Sequence, residues 1–92
     1  MQKNVRYCIT ITGYVQGVGY RYFCYKKANL YGVKGYVKNL YNGDVELEIE
    51  GDEGLINDYI KELKTGPQNS FVKSLSVQKL EYSAEFEEFR IE

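Results

Sequence analysis

Residues 5–32 read VRYCITITGYVQGVGYRYFCYKKANLYG, and the spacing of apolar side chains changes within this stretch. In residues 5–11 apolar and polar side chains alternate, which is typical of a strand with one buried face. A glycine-rich loop follows at 13–19. In residues 20–31 the apolar side chains recur at helical spacing, and Gly32 is suited to end a helix. The stretch therefore predicts a strand, a loop and a helix in that order.

The rest of the chain predicts four more strands and one more helix. These are a second strand at 33–40, a third at 45–50, a second helix capped by Asp52 and ended by Gly66-Pro67, a fourth strand around 71–77 and a fifth at 89–91. The order is β-α-β-β-α-β with an extra short C-terminal strand. It predicts an α+β, ferredoxin-like sandwich with two helices on one face of a mostly antiparallel sheet. That fold hosts many functions, so it does not by itself indicate one.

The third predicted strand and the turn before it carry the clearest local patterns. Its apolar residues are expected to face the core and its acidic residues to face water: Val45, Leu47 and Ile49 inside, and Glu46, Glu48 and Glu50 outside. A row of exposed acids is usually solvated surface, so no metal site is predicted there. Asn42-Gly43 predicts a type I′ hairpin turn, because both residues tolerate a positive φ.

Composition limits the classes of function. A chain of 92 residues fits one domain spanning 1–92. Twelve basic residues balance thirteen acidic ones, giving a net charge of −1, so no long-range attraction for nucleic acid or an anionic membrane is expected. Because the N-terminus has no signal-peptide core and no apolar run is long enough to span a bilayer, we expect a cytoplasmic protein.

Histidine is absent from the sequence. This excludes histidine-based triads, histidine general bases, phosphohistidine chemistry and most transition-metal sites. Cys8 and Cys24 lack the spacing of a metal site, and we interpret them as free buried thiols rather than a disulfide.

The loop and its flanks, residues 13–21 (GYVQGVGYR), have the features of an anion site. The first N–H groups of a helix lack internal partners and the helix dipole makes that end positive, while glycines let the loop curl around an anion. Arg21, in the first turn, disfavours the helix by roughly 0.3–1 kcal/mol but could bind two phosphate oxygens. The loop lacks the Gly-Lys-Ser/Thr of a P-loop, and Tyr22 replaces the third glycine of a dinucleotide loop. From these residues alone, a plain glycine-rich turn remains an equal alternative.

Residues 13–21 resemble the acylphosphatase signature, G-x-V-Q-G-V-x-F-R. Residues 35–46 (GYVKNLYNGDVE) resemble the second signature of that family: a glycine, an aromatic, V-R/K-N, a turn and D/N-G-x-V-E. The spacing between the two is also similar, and the resemblance covers essentially the whole chain. Tyr20 replaces the usual phenylalanine, Tyr36 the usual tryptophan and Tyr41 a common proline. These changes bear on substrate preference rather than on phosphate binding.

The resemblance implies a metal-independent, cofactor-free hydrolase that cleaves the carboxyl–phosphate bond of small acyl phosphates. We expect it to act as a monomer. It implies that the phosphoryl group is bound by Arg21 and that Asn39 orients the attacking water. The backbone N–H groups implied in phosphate binding are those of Gln16, Gly17, Val18, Gly19 and Tyr20. A carboxylate leaving group, with a pKa near ~4–5, needs no general acid at neutral pH.

Several alternatives stay open at this point. Asn39 could cap a turn, although alternation puts it on the face of Val37, and Arg21 could form a surface ion pair. An RNA-recognition module shares the order of elements, but the net charge is unfavourable and the aromatic spacing fails at Lys38 and Asn39. The chain could also be an accessory domain like those at the start of larger carbamoyl-transferring maturation proteins. A free-standing length of 92 residues and intact Arg21 and Asn39 favour a working enzyme.

Overall fold

The computed structural model describes residues 3–92, and within them the chain forms five strands and two helices. In chain order these are β1 (Asn4–Tyr14), α1 (Tyr20–Tyr31), β2 (Lys34–Asn39), β3 (Val45–Asp52), α2 (Glu53–Thr65), β4 (Phe71–Leu80) and β5 (Phe89–Ile91). The strands form one sheet in the order β4-β1-β3-β2-β5. Every neighbouring pair is antiparallel except β2 and β5, which are parallel. The predicted α+β, ferredoxin-like sandwich with an extra C-terminal strand is confirmed.

The hydrophobic core lies between the sheet and the two helices. Most of its buried side chains come from four elements: Val5, Ile9 and Ile11 from β1, Tyr20, Cys24 and Ala28 from α1, Val45, Leu47 and Ile49 from β3, and Ile56, Tyr59 and Leu63 from α2. Fully burying one such large side chain stabilises the fold by about 1.5–3 kcal/mol. The core therefore fixes how the loops at the ends of these elements face one another.

The boundaries of the first elements differ slightly from those predicted. β1 continues to Tyr14, two residues into the predicted loop, because Gly13 and Tyr14 still pair with β4 after a register shift at Thr12/Gly13. α1 ends as predicted at Gly32, whose φ of 69° lies in the left-handed region and whose N–H donates to the Ala28 carbonyl. β2 is one residue shorter at each end than the predicted 33–40.

The hairpin between β2 and β3 is confirmed, but the type I′ turn is wrong. The last strand pair is Asn39 with Val45, which leaves a five-residue loop from Leu40 to Asp44. The Leu40 N–H donates to the Asp44 carbonyl at 2.8 Å. Of Asn42 and Gly43, only Gly43 has a positive φ, of 96°. The side chain of Asn42 instead accepts a hydrogen bond from the Asp44 N–H at 3.0 Å, and this bond stabilises the turn.

The expectation that Glu50 faces water is also wrong. Glu50 is only 3% exposed. Its carboxylate accepts the backbone N–H groups of Ser83 at 3.0 Å, Glu85 at 2.8 Å and Phe86 at 3.1 Å. Burial alone would raise the pKa of Glu50, but these three hydrogen bonds outweigh it and hold the pKa below its ordinary value. Glu50 therefore holds the segment between β4 and β5 against the sheet.

The other two acids of β3 are partly buried and paired rather than freely solvated. Glu48 accepts hydrogen bonds from the guanidinium of Arg6. Glu46 accepts one from the Tyr36 hydroxyl at 2.8 Å and lies 3.7 Å from the ammonium of Lys38. The face of the sheet opposite the helices is thus a network of charges.

Smaller expectations have mixed outcomes. Asp52 caps α2 as predicted, with its carboxylate accepting from the Leu55 N–H at 3.0 Å. Both cysteines are free thiols, as predicted, with Cys24 buried and Cys8 only partly so. Within residues 3–92, no helix has the length and apolar character required to cross a membrane.

Candidate active site

The loop from Val15 to Gly19 joins β1 to α1 and leaves space in front of its glycines. Gly17 and Gly19 have φ angles of 74° and 78°, in the left-handed region. A Cβ atom added to either would meet no heavy atom within 4 Å. These glycines are therefore required by the curl of the backbone rather than by crowding. Val15, which is buried in the core, anchors the start of the loop.

The first turn of α1 offers N–H groups without side-chain acceptors. Gly19 occupies the N-cap position, where no side chain caps the helix, and the first turn contains no acidic residue. These N–H groups and the positive end of the helix dipole are available to an anion. Tyr20 fixes this end of the helix, because its buried hydroxyl donates to the Leu63 carbonyl at 2.6 Å. Burial raises the pKa of Tyr20 well above its ordinary value, so the hydroxyl remains a donor.

Arg21, the second residue of α1, is oriented by the end of the chain. Its Nη1 donates to the Glu92 carbonyl oxygen at 2.7 Å, and the Glu92 N–H donates to the Val37 carbonyl at 2.8 Å. Among residues 3–92, Arg21 forms no ion pair with a carboxylate side chain. A guanidinium has five N–H donors, and one bond to a carbonyl leaves most of them free for an anion.

Asn39 is the last residue of β2, and its side chain is exposed. It pairs with Val45 in the sheet. Strand alternation places it on the face of Val37, beyond the part of the sheet that the helices cover. The turn that follows is capped by Asn42, so the alternative in which Asn39 caps it is wrong.

These residues meet in a cleft of about 280 Å³. The residues that line it are Val15, Gly17, Gly19, Tyr20, Arg21, Tyr22, Asn39 and Ile91. Five of the seven predicted site residues are among them. Val18 instead packs partly buried against the core, and Gln16 lines a neighbouring recess with Leu40 and Tyr41.

Three residues of the lining were not predicted from the sequence: Val15, Tyr22 and Ile91. Ile91 reaches the cleft because β5 runs parallel to β2, with Ile91 opposite Val37. A short strand at the end of the chain carries no signal for which neighbour it will choose. Tyr22 follows Arg21 directly, and its ring lies 6.3 Å from that of Tyr25. Together the side chains of Tyr22 and Ile91 add aromatic and apolar surface to the lining of the cleft.

The chemistry of the cleft suits a small anion with an organic group. A helix N-terminus and a guanidinium converge on one side, and the amide of Asn39 can both donate and accept hydrogen bonds. Such donors can stabilise charge that develops on phosphoryl oxygens.

Comparison with known proteins identifies one family. The acylphosphatase family model matches residues 7–91. A curated acylphosphatase from Caldanaerobacter subterraneus subsp. tengcongensis is 45% identical over 91 residues, which is 99% of each chain. The crystal structure of acylphosphatase from Bacillus subtilis aligns with a TM-score of 0.91 at 34% identity and covers 95% of this chain and 97% of that chain.

The same fold is also found within a larger protein. The crystal structure of full-length HypF in a phosphate- and nucleotide-bound form aligns with a TM-score of 0.86 at 32% identity. It covers 99% of this chain but only 12% of that chain. The accessory-domain interpretation thus has a structural counterpart, whereas the bacterial relatives above match from end to end.

Proposed function

The chain belongs to the acylphosphatase family and is an acylphosphatase, and from this premise we propose how its residues carry out the reaction. Water attacks the phosphorus atom of an acyl phosphate in line with the departing acyl oxygen. A new P–O bond forms to water, the P–O bond to the acyl group breaks, and carboxylate and inorganic phosphate leave. The reaction needs no cofactor or metal ion, because positioning and charge stabilisation are its main requirements.

The phosphoryl group is bound by Arg21 and by the backbone N–H groups of residues 16–20. The observation that supports this best is the convergence of Gly17, Gly19, Arg21 and Asn39 on a single cleft, although they come from a loop, a helix and a strand end. The bond from Arg21 to the main-chain oxygen of Glu92 orients the guanidinium before substrate arrives. Pre-oriented donors of this kind need no reorganisation as charge develops in the transition state.

Asn39 orients the attacking water. Its side chain is exposed and lines the same cleft as Arg21, and in-line attack requires the water it binds to lie opposite the leaving group. An amide cannot accept the proton of that water, so the proton passes to a phosphoryl oxygen. The departing carboxylate is a weak base and leaves without protonation.

The test is hydrolysis of benzoyl phosphate by the purified chain with a chelator present. We expect Arg21→Ala and Asn39→Ala each to lower kcat/KM by roughly 10²–10³. Matched controls are Arg90→Ala and Asn57→Ala, which remove the same groups from exposed positions outside the cleft and should retain full activity. Folding of every variant is checked by circular dichroism.

Three results would contradict the proposal. They are full activity of folded Arg21→Ala, dependence of the wild type on added metal ion, and a covalent phosphorylated enzyme, because no side chain acts as a nucleophile in this mechanism. We also expect weak turnover of alkyl phosphate esters, whose alkoxide is a poor leaving group.

The wider setting of the enzyme follows from the same premise. We propose that residues 1–92 act as one monomeric domain in the cytoplasm on a small-molecule substrate. The net charge of −1 provides no attraction for an RNA backbone, so we propose no RNA-binding function.

A further inference from the structure

The side chain of Gln16 links the phosphate loop to the hairpin loop that follows Asn39. Its Nε2 donates to the Leu40 carbonyl oxygen at 2.9 Å and to the Asp44 carbonyl oxygen at 2.9 Å. An amide NH₂ group has two hydrogens, and here each one is used on a different side of the same loop. One side chain thus holds the first and last residues of the β2–β3 loop.

The two carbonyl groups do not depend on Gln16 for a hydrogen bond. The Leu40 carbonyl also accepts from the Gly43 N–H at 3.2 Å, and the Asp44 carbonyl accepts from the Leu40 N–H at 2.8 Å. The β2–β3 loop is therefore closed by its own backbone. What Gln16 adds is a connection between two loops that are separated by 24 to 28 positions in sequence.

This connection acts next to Asn39. Leu40 is bonded directly to Asn39, and Asp44 precedes Val45, the strand partner of Asn39. The two hydrogen bonds of Gln16 therefore hold the residues next to the strand pair formed by Asn39 and Val45. The backbone of Gln16 itself belongs to the loop that receives the phosphoryl group.

We propose that Gln16 is a positioning residue for the hydrolysis, whose side-chain amide sets the distance between the bound phosphoryl group and the water oriented by Asn39. This inference rests on the role proposed above for Asn39. It assigns to the side chain of Gln16 a function separate from that of its backbone N–H. Displacing a reacting group by about 1 Å can lower a rate by roughly 10²-fold, so a link of this kind matters even though it touches no substrate.

The first test is Gln16→Met, which keeps the length of the side chain and removes both donors. Because each carbonyl keeps a second donor, we expect the variant to fold. We expect kcat for benzoyl phosphate to fall roughly 10- to 100-fold, while the inhibition constant of inorganic phosphate stays within about twofold. Gln78→Met, an exposed position on β4, is the matched control and should retain the wild-type kcat.

The decisive test is a double-mutant cycle with Asn39→Ala. If Gln16 acts through Asn39, Gln16→Met should have almost no further effect on kcat in the Asn39→Ala background. A general disturbance of the fold or of the phosphate loop would lower kcat by the same factor in both backgrounds. Gln16→Ala, which introduces no new atoms, is run through the same cycle in case Gln16→Met does not fold.

The outcomes separate this inference from the proposed function. Equal losses in the two backgrounds, or a phosphate inhibition constant that rises in step with the loss of kcat, would overturn the role of Gln16 alone. Unchanged kcat in Gln16→Met would do the same. Full activity of Asn39→Ala would instead overturn the role of Asn39, and the inference about Gln16 with it.

Discussion

Replacing Glu50 by glutamine should destabilise the fold strongly, although the change is nearly isosteric and lies on an acidic row that the sequence predicts to be exposed. Oε1 accepts the N–H groups of Glu85 and Phe86, and Oε2 accepts that of Ser83. An amide has one acceptor oxygen, so at least one of these N–H groups would face an NH₂ group. Losing one charge-assisted bond costs about 1.5–3 kcal/mol, and weakening the other two adds roughly 1 kcal/mol each. Since an amide is less costly to bury than a charge, we expect a net loss of about 2–4 kcal/mol.

Urea unfolding of the wild type and of Glu50→Gln near pH 7 measures this loss. The matched control is Glu81→Gln, which makes the same chemical change at an exposed position at the start of the same segment. We expect the control to lie within about 0.5 kcal/mol of the wild type. A loss below about 1 kcal/mol for Glu50→Gln would refute the assignment of Glu50 as the group that holds residues 81–88.

The same contact predicts how stability depends on pH. Burial would raise the pKa of Glu50, but the three N–H donors, with a smaller contribution from Arg6, hold it below its ordinary value of 4.5. The charged carboxylate therefore stabilises the folded state fully above that value, and this stabilisation is lost as the pH falls through the lower pKa of the folded state. The difference between wild type and Glu50→Gln should be constant near neutral pH and shrink below about pH 4.5. A difference that grows as the pH falls would contradict the reasoning.

Two further predictions concern buried positions. Gly35 has a φ of 146° and a Cβ there would overlap the Glu48 carbonyl oxygen, so Gly35→Ala should lower the free energy of unfolding, measured by thermal unfolding, by at least about 3 kcal/mol. The control is Gly17→Ala, where a Cβ has open space and the expected loss is only about 1 kcal/mol. Equal losses in the two variants would argue against a close approach at Gly35. Burial raises the pKa of the Cys24 thiol well above its ordinary value and that of Cys8 to a lesser degree, so iodoacetamide near pH 8 should modify Cys24 only on unfolding. Rapid alkylation of Cys24 in the folded protein, read by mass spectrometry, would show that this part of the core opens.

The order of the elements was predictable because it depends on local periodicity. In β1, α1 and β3 the repeat of apolar residues changes from two to 3.6 and back, and each repeat fixes which side chains can share a face. Gly32 and Asp52 mark helix ends by conformational and hydrogen-bonding preferences that act over a single turn. Such signals do not depend on the rest of the chain.

Periodicity assigned Glu50 to the correct face and still gave the wrong environment. Alternation places Glu50 on the opposite face of the sheet from Ile49, but alternation does not indicate whether another segment will cover that face. The segment that does so, residues 81–88, has no hydrophobic pattern of its own. It bonds to Glu50 through backbone N–H groups, which any sequence could supply. The type I′ turn failed for a related reason: the pairing of Asn39 with Val45 sets a five-residue loop, and local preference for Asn-Gly cannot override that register.

The active site shows why a family signature identifies residues more readily than it explains their placement. Arg21 and Gln16 stand in a motif, yet the groups that orient them are main-chain oxygens of Glu92, Leu40 and Asp44. Because every residue has a carbonyl group, such partners leave no mark in the sequence and become visible only when the chain is folded. A main-chain oxygen is also kept when the side chain of its residue is replaced. It follows that variation at positions 40, 44 and 92 should be compatible with the reaction, provided that β2, β3 and β5 keep the register that presents those carbonyls to the site.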